Sequence, residues 1–371
     1  MADHADKRAA CSLTAEGCAQ RVERLRGRLG KAGLDAALLT DPAYIFYFTN
    51  AWDRVIFPRA LLVPRTGPTT LFAMMPLPDD VYADRRVMYD GQFVATMVDD
   101  THAALLEKVR EHLQSVGTLG CDRLALPWMF DGIDVHDLNP DMFALRRKKD
   151  ADEVAVLRHA IGGCEAAYAT CRKVLRAGLS EVAMHAAMHE AAVNYVGEPI
   201  GEFGNDFRAG GGMDGGFPRQ RAMEKGEIAI LDLGVVVRGY SSDNCRSFMV
   251  EGKPTPAQAE AHRRVVEALK FCESFIRPGA SCLELYRKVH EMIDGVNGWT
   301  FPHHLGHGIG LRTHESPRLN PHWDDTFAAG DVITCEPGLY GDDLRAGLRL
   351  EQDYLVTEYG VERLTSFPLD L

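Results

Sequence analysis

The chain of 371 residues contains no apolar run of about eighteen residues, the length a membrane-crossing helix needs. Its first ten residues, Met1-Ala-Asp-His-Ala-Asp-Lys-Arg-Ala-Ala, lack the apolar centre of an export leader. A helical membrane span and secretion by that route are therefore not expected. Strong basic patches are missing too. Against a formal net charge of −12, the densest basic run is Arg146-Arg-Lys-Lys149, so neither nucleic acid nor an anionic membrane is an expected partner. The nine cysteines (Cys11, Cys18, Cys121, Cys164, Cys171, Cys245, Cys272, Cys282, Cys335) are odd in number and lack close paired spacing. Reduced thiols and a cytoplasmic location follow as expectations. Low-complexity sequence is absent. The glycine-rich stretch Gly210 to Gly216 has neither the strand-to-helix context nor the Gly-Lys-Ser/Thr ending of a phosphate loop, which excludes nucleotide binding there. It is expected to be the most flexible part, where substrate enters.

What is present is an ordinary globular composition, 46% hydrophobic and 25% charged, with room for two cores. A polar tail is expected over 1–15. Val22, Leu25 and Leu29 keep helical spacing until Gly33. Strands at Ala36–Leu39, Ala60–Val63, Thr70–Ala73 and Phe93–Val98, with a helix at His102–Leu113, predict a small α/β domain over 16–149. Arg146 to Lys149 reads as the lead-in to the next helix. From 150 to 371 the character changes. Helices at Glu153–Leu175, Glu181–Val196, Ala257–Ile276 and Cys282–Ile293 come in pairs, each pair followed by a hairpin, predicting an α+β domain with helices packed on antiparallel sheet.

That second domain resembles itself. Gly226-Glu-Ile-Ala-Ile-Leu-Asp232-Leu-Gly234 matches Gly330-Asp-Val-Ile-Thr-Cys-Glu336-Pro-Gly338, with an acid at the same place. Upstream, Arg176-Ala-Gly178-Leu-Ser180 and His189-Glu190 match Arg277-Pro-Gly279-Ala-Ser281 and His290-Glu291. A duplicated helix, glycine turn, helix and hairpin is the implied unit. Two hairpins about a pseudo-two-fold axis would gather Asp232, Asp243, Glu336 and Glu351 at the centre, with His307 adding a nitrogen.

A turn at Arg238-Gly239 would pair Asp232 with Cys245 across the ladder and make Asp243 its diagonal neighbour on the same face. Acids set in Ile-Leu-Asp-Leu-Gly cost several kcal/mol to desolvate unless a cation compensates them. Taken singly, Asp243 could pair with Arg246, Glu336 could be a turn residue and His307 a loop residue. Together, one nitrogen and four carboxylates suit two oxygen-loving divalent ions, manganese, iron or cobalt before structural zinc, able to hold a hydroxide between them. Hydrolysis is the chemistry this implies.

The stretches Leu231-Asp-Leu-Gly234 to Asp243-Asn-Cys-Arg246, Gly306-His-Gly-Ile-Gly310 with His314-Glu-Ser-Pro317, Thr334-Cys-Glu-Pro-Gly338 and Gly347-Leu-Arg-Leu-Glu351 resemble the pita-bread metallopeptidases, the family of methionine aminopeptidase, aminopeptidase P, prolidase and creatinase. Arg24 to Asn50 is similar to the amino-terminal domain of the creatinase and prolidase branch. The resemblance implies a creatinase-like domain followed by a pita-bread catalytic domain, and an Xaa-Pro dipeptidase or aminopeptidase acting on short peptides. It implies a homodimer and two divalent ions, manganese first, with cobalt, iron or zinc as alternatives. Asp232 would hold one ion, His307 and Glu336 the other, and Asp243 and Glu351 would bridge. Glu336 would also shuttle protons, His314 would bond the substrate carbonyl, His303 would face the substrate, and Arg349 would support the ligands.

One position departs from the family. The histidine about seventeen residues before the first aspartate is replaced by Gly215. Loss of such a donor is worth a hundredfold or more where it acts in the transition state. Two alternatives therefore stay open: a metal-dependent C–N hydrolase or lyase acting on a small zwitterion, and a catalytically inactive binding protein. His304 and His322 are expected to be ordinary polar residues. His185 and His189, one turn apart, are expected at the solvent-facing surface, and Arg345 either anchors a substrate carboxylate or pairs with Asp342 and Asp343.

Overall fold

The computed structural model describes residues 7–52, 57–123, 130–204, 206–210 and 215–371. Residues 1–6 and 211–214, which include parts of the expected tail and of the glycine-rich loop, lie outside the described residues. The chain forms two compact units, Ser12–Arg146 and Arg147–Leu371, the latter with the segment up to Cys11.

In the first unit, helix α1 (Ala15–Ala32) starts where the Thr14 side chain accepts from the Gly17 amide and stops at Gly33, whose φ of 71° ends the helix. Leu13 is buried here, and Cys11 is buried in the segment that belongs with the other unit, so the latter part of the expected tail is packed. Strand β1 (Ala36–Leu39), helix α2 (Pro42–Thr49), and strands β2 (Ala60–Pro64), β3 (Thr70–Ala73) and β4 (Arg85–Met88) follow. The single strand expected over Phe93–Val98 is instead a small hairpin of β5 (Gln92–Phe93) and β6 (Thr96–Met97), because Val94 and Ala95 turn the chain at positive φ. Helix α3 (Thr101–Arg110), strands β7 (Thr118–Cys121) and β8 (Asp134–Asp137), and helix α4 (Asn139–Arg147) complete it. The mixed six-stranded sheet runs β4-β3-β2-β1-β7-β8. Its Leu38, Leu62, Phe72 and Leu119 share a core with Leu105 and Val109 of α3.

The second unit opens with α5 (Ala151–Val174), capped by Asp150 and Glu153, and α6 (Glu181–Val196), capped by Ser180. Strands β9 (Asp206–Ala209), β10 (Ile228–Leu233), β11 (Val236–Val237), β12 (Tyr240–Ser241) and β13 (Asn244–Met249) come next. Then α7 (Pro256–Phe275), α8 (Cys282–Ile293), β14 (Gly306–Gly308), β15 (Glu315–Leu319), β16 (Val332–Cys335), β17 (Gly338–Gly341), β18 (Ala346–Arg349), β19 (Gln352–Val356) and β20 (Val361–Arg363). The sheets run β13-β10-β9 and β15-β14-β16-β19-β20, with small ribbons β11-β12 and β17-β18. Val265 and Leu269 of α7 and Leu285 and Val289 of α8 share a core with Ile230, Ile333 and Tyr354 of the strands.

The halves repeat bond for bond. Gly178 donates to the Met223 carbonyl and Gly279 to that of Phe327, both at 2.9 Å. Ser180 bridges Ala222 as Ser281 bridges Thr326, and each serine caps the helix that follows it. Gly226 donates to Val250 at 2.8 Å, and Gly330 to Val356 at 2.9 Å. This is the expected architecture of an α/β domain followed by an α+β domain of duplicated helix-helix-hairpin units. The basic run does more than lead into a helix: Arg147 binds Asp331 at 2.8 Å and buried Lys149 binds buried Glu315 at 3.0 Å.

Candidate metal centre

The first hairpin turns at Arg238 (φ 49°) and Gly239 (φ 91°), which sets Val237 against Tyr240 and Val236 against Ser241. Further along, Asp232 stands opposite Cys245, as the turn requires, and Asp243 precedes β13. The second hairpin pairs Cys335 with Gln352, leaving Glu336 just after β16 and Glu351 just before β19. His307 sits in the middle of β14, which lies between β15 and β16. The flanking glycine is a steric necessity: a Cβ at Gly306 would come within 2.1 Å of the Thr334 carbonyl oxygen.

One cavity of about 880 Å³ is lined by Asp232, Asp243, His307, Glu336 and Glu351, together with His303, His304, His314 and Arg349. Donor atoms of Asp232, Asp243 and Glu351 lie within 4.8 Å of one another, as do those of His304, His307 and Glu336, and those of Asp243, His307 and His314. All five expected metal ligands are thus brought together.

A backbone bond fixes the His307 tautomer, and burial dominates the protonation of His307, Asp232, Asp243 and Glu351. His307 Nδ1 lies 3.1 Å from the Gly308 carbonyl, which only accepts, so Nδ1 carries the proton and Nε2 presents a lone pair. That lone pair faces Asp243 Oδ2 and Glu336 Oε1, each at 3.6 Å. Burial pushes the imidazole down to about 3, so it stays neutral. Thr334 Oγ1 donates to Glu351 Oε1, whereas the buried Oε2 has no hydrogen-bond partner among the described residues. Burial first and neighbouring acids second push Asp243 and Glu351 well above the usual carboxylate range, and burial lifts Asp232 to about 6 against the opposing charge of Arg349. A lone pair and an orphaned oxygen among crowded acids repel one another unless a cation lies between them, so the residues fit a metal site. The donor set, oxygen-rich with imidazole, suits divalent ions such as manganese.

Arg349 Nη2 donates to Asp232 Oδ2 at 2.7 Å and to Asp206 Oδ2 at 2.5 Å, and Nη1 to Tyr340 Oη at 3.1 Å. His303 donates from Nδ1 to the His304 carbonyl at 2.8 Å and has Nε2 3.1 Å from Tyr340 Oη. Both its nitrogens are engaged, and burial lowers it to about 4. His314 stacks on His307 with ring centroids 3.7 Å apart.

Two expectations change, and one residue is added. His304 is no ordinary polar residue: its Nε2 lies 2.9 Å from Glu336 Oε1. Although burial raises Glu336, the His304 bond and the charges of His304, His307 and His303 outweigh it and hold the acid at about 2. Asp206, which no motif marked, is the cross-strand partner of Asp232. His185 and His189 line the cavity rather than facing bulk solvent. His322 is exposed, as expected; Arg345 takes neither expected role, lying at the surface outside the cavity lining with Nη1 3.4 Å from the Lys225 carbonyl rather than paired with Asp342 or Asp343.

Gly215 has a physical reason. With φ at 47° and a Cβ that would fall 1.9 Å from Asp206 Oδ1, the position admits no side chain as it stands. The Gly216 amide donates to that same oxygen at 2.6 Å.

The sequence pattern of Metallopeptidase family M24 matches residues 155–358, and that of the Creatinase/Prolidase N-terminal domain matches 21–134. An uncharacterized peptidase of Staphylococcus saprophyticus is 28% identical over 375 residues, covering 94% of this chain and 99% of the relative. Among solved structures, a prolidase from Pyrococcus horikoshii is 21% identical with a TM-score of 0.75, covering 95% of this chain and 99% of that one. An Xaa-Pro dipeptidase from Bacillus anthracis is 22% identical with a TM-score of 0.77 over 95% and 99%. An X-Pro aminopeptidase from Thermotoga maritima is 22% identical with a TM-score of 0.77 over 94% and 98%.

Proposed function

Because the chain belongs to metallopeptidase family M24, a family of metal-dependent peptidases, we propose that it hydrolyses Xaa-Pro bonds in short peptides, as a dipeptidase or aminopeptidase, with two divalent ions. The observation that carries this reading is the His307 Nε2 lone pair aimed at Asp243 and Glu336, inside a cavity that also gathers Asp232 and Glu351. The similarity to a prolidase, an Xaa-Pro dipeptidase and an X-Pro aminopeptidase supports the choice of bond.

Asp232, Asp243, His307, Glu336 and Glu351 would hold the ions. Bound there, the ions would supply Lewis acidity toward the scissile carbonyl and activation of water. The chain's own groups do the rest. Arg349 fixes the Asp232 carboxylate from one side. Glu336 Oε1 and His304 Nε2, 2.9 Å apart, form a pair that takes up a proton and returns it to the leaving nitrogen. His314, exposed and stacked on His307, would donate to the carbonyl oxygen.

Gly215 favours a second reading. With Asp206 filling the space a side chain there would need, no donor reaches the substrate from that position. A C–N hydrolase or lyase acting on a small zwitterion would not require one. Incubation with Mn²⁺ or Co²⁺ and a panel of Xaa-Pro dipeptides and tripeptides separates the two. Release of an amino-terminal residue or free proline supports the peptidase, and metal binding without cleavage supports the second reading or a catalytically inactive binding protein.

A further inference from the structure

Part of the cavity lining has no role in that mechanism: His185 and His189 of α6, with Phe203 and Phe217. One turn apart, the two histidines share a helix face, with ring centroids 6.1 Å apart and planes 21° from parallel. Phe203 meets both edge-on, at 5.5 Å from His185 and 5.2 Å from His189. Phe207 closes behind His185 at 4.5 Å and 78°. Phe203 and Phe207 are buried, so the imidazoles are backed by fixed rings. Neither imidazole has a hydrogen-bond partner among the described residues, unlike His303, His304 and His307. Phe217, 72% exposed, leaves a further aromatic ring uncovered at the same cavity.

A wall of four flat rings, one of them bare, is complementary to another flat ring, because aromatic pairs gain from edge-to-face and offset packing beyond the area they bury. We propose that His185, His189, Phe203 and Phe217 form a side-chain subsite for an aromatic residue of the substrate, the residue preceding proline. The peptide position rests on the Xaa-Pro reading, whereas the aromatic selectivity does not. Glu202 and Asp206 lie in the same lining, so an acidic side chain is repelled and a lysine is the competing occupant.

The test measures binding and turnover separately. Manganese-loaded protein is titrated calorimetrically with L-phenylalaninamide, L-lysinamide and L-alaninamide, and kcat/KM is measured for Phe-Pro, Lys-Pro and Ala-Pro. The expected preference for the aromatic ligand over the alanine one is about tenfold in both readouts. Phe217→Ala and His189→Ala should each cut that preference by about threefold or more, the size of one lost aromatic contact. Phe217 is largely exposed, so its truncation leaves the core intact. Equal binding of the phenylalanine and alanine ligands, a lysine preference, or a preference unmoved in both variants overturns the subsite. Aromatic-selective binding without cleavage of any Xaa-Pro peptide overturns the peptidase reading and leaves the subsite standing. Cleavage without aromatic selectivity does the reverse.

Discussion

Asp206 and Asp232 stand opposite each other on neighbouring strands and share one guanidinium nitrogen, Arg349 Nη2, at 2.5 and 2.7 Å. Two acids this close are tolerable because a cation of the protein's own lies between them. Arg349→Met should therefore destabilise the protein by about 3 kcal/mol, since breaking a buried pair from one side leaves uncompensated charge. Urea unfolding measures it. A variant with an unchanged midpoint and unchanged Mn²⁺ affinity would contradict the shared-cation account.

The acids carry a pH signature in the metal-free protein. Asp243 and Glu351 are raised well above the usual range and Asp232 to about 6, burial being the main cause. Acids raised by folding favour the folded state while protonated. That contribution is fully present below about pH 4, where the unfolded chain's own acids protonate, and fades as pH climbs through about 6 and beyond. His303 and His307, lowered by burial to about 4 and about 3, act in the opposite sense up to about pH 6.5, so chelated protein should show the acids' loss of thermal stability above about pH 6.5. Saturating Mn²⁺ should raise the melting temperature more at about pH 7.5 than at about pH 5. Equal metal-induced shifts at the two pH values would refute it.

Removing one repelling acid should trade function for stability. Asp243→Asn is expected to raise the melting temperature of the chelated protein near neutral pH by roughly 2–4 °C, the equivalent of about 1 kcal/mol. The same variant should lose most of its response to Mn²⁺ and its turnover. Differential scanning calorimetry with and without chelator reads both effects, and a lower melting temperature in the chelated variant would count against mutual repulsion.

His304 should matter through Glu336. His304→Leu removes the 2.9 Å contact that holds the acid down, so the acidic limb of the kcat/KM profile should move to higher pH as Glu336 regains a proton more readily. His304→Gln, which keeps a donor, should restore part of that limb. A profile identical to the parent in both variants would remove His304 from the proton path.

Restoring the absent loop histidine should fail. Gly215→His places a side chain where φ is 47° and Asp206 already sits, so a loss of about 1–3 kcal/mol and no gain in turnover are expected. Higher peptidase activity with intact stability would show that the loop simply lacks its donor.

Much of this site was legible in the chain because its logic is local. The Arg238-Gly239 turn fixes the register of Asp232 against Cys245, and matched glycines and serines mark the repeat. His304 and Asp206 escaped notice because their meaning depends on partners that only folding supplies: Glu336 for one, Arg349 and the Gly216 amide for the other. Helical spacing put His185 and His189 on one face, but spacing carries no information about which face meets a cavity. In the first unit, β7 and β8 were missed for a related reason. β7 joins β1, and β8 joins β7, by parallel pairing, which no short turn announces.

The doubled backbone pattern has a mechanical corollary. Since each repeat brings only two of the four acids, the donor geometry is a property of the seam, not of either piece. Severing the connection between Met249 and Pro256 should give fragments that each fall short of a binding site, with manganese affinity returning only when they reassociate. In this architecture, metal affinity would report directly on whether the repeats are in register.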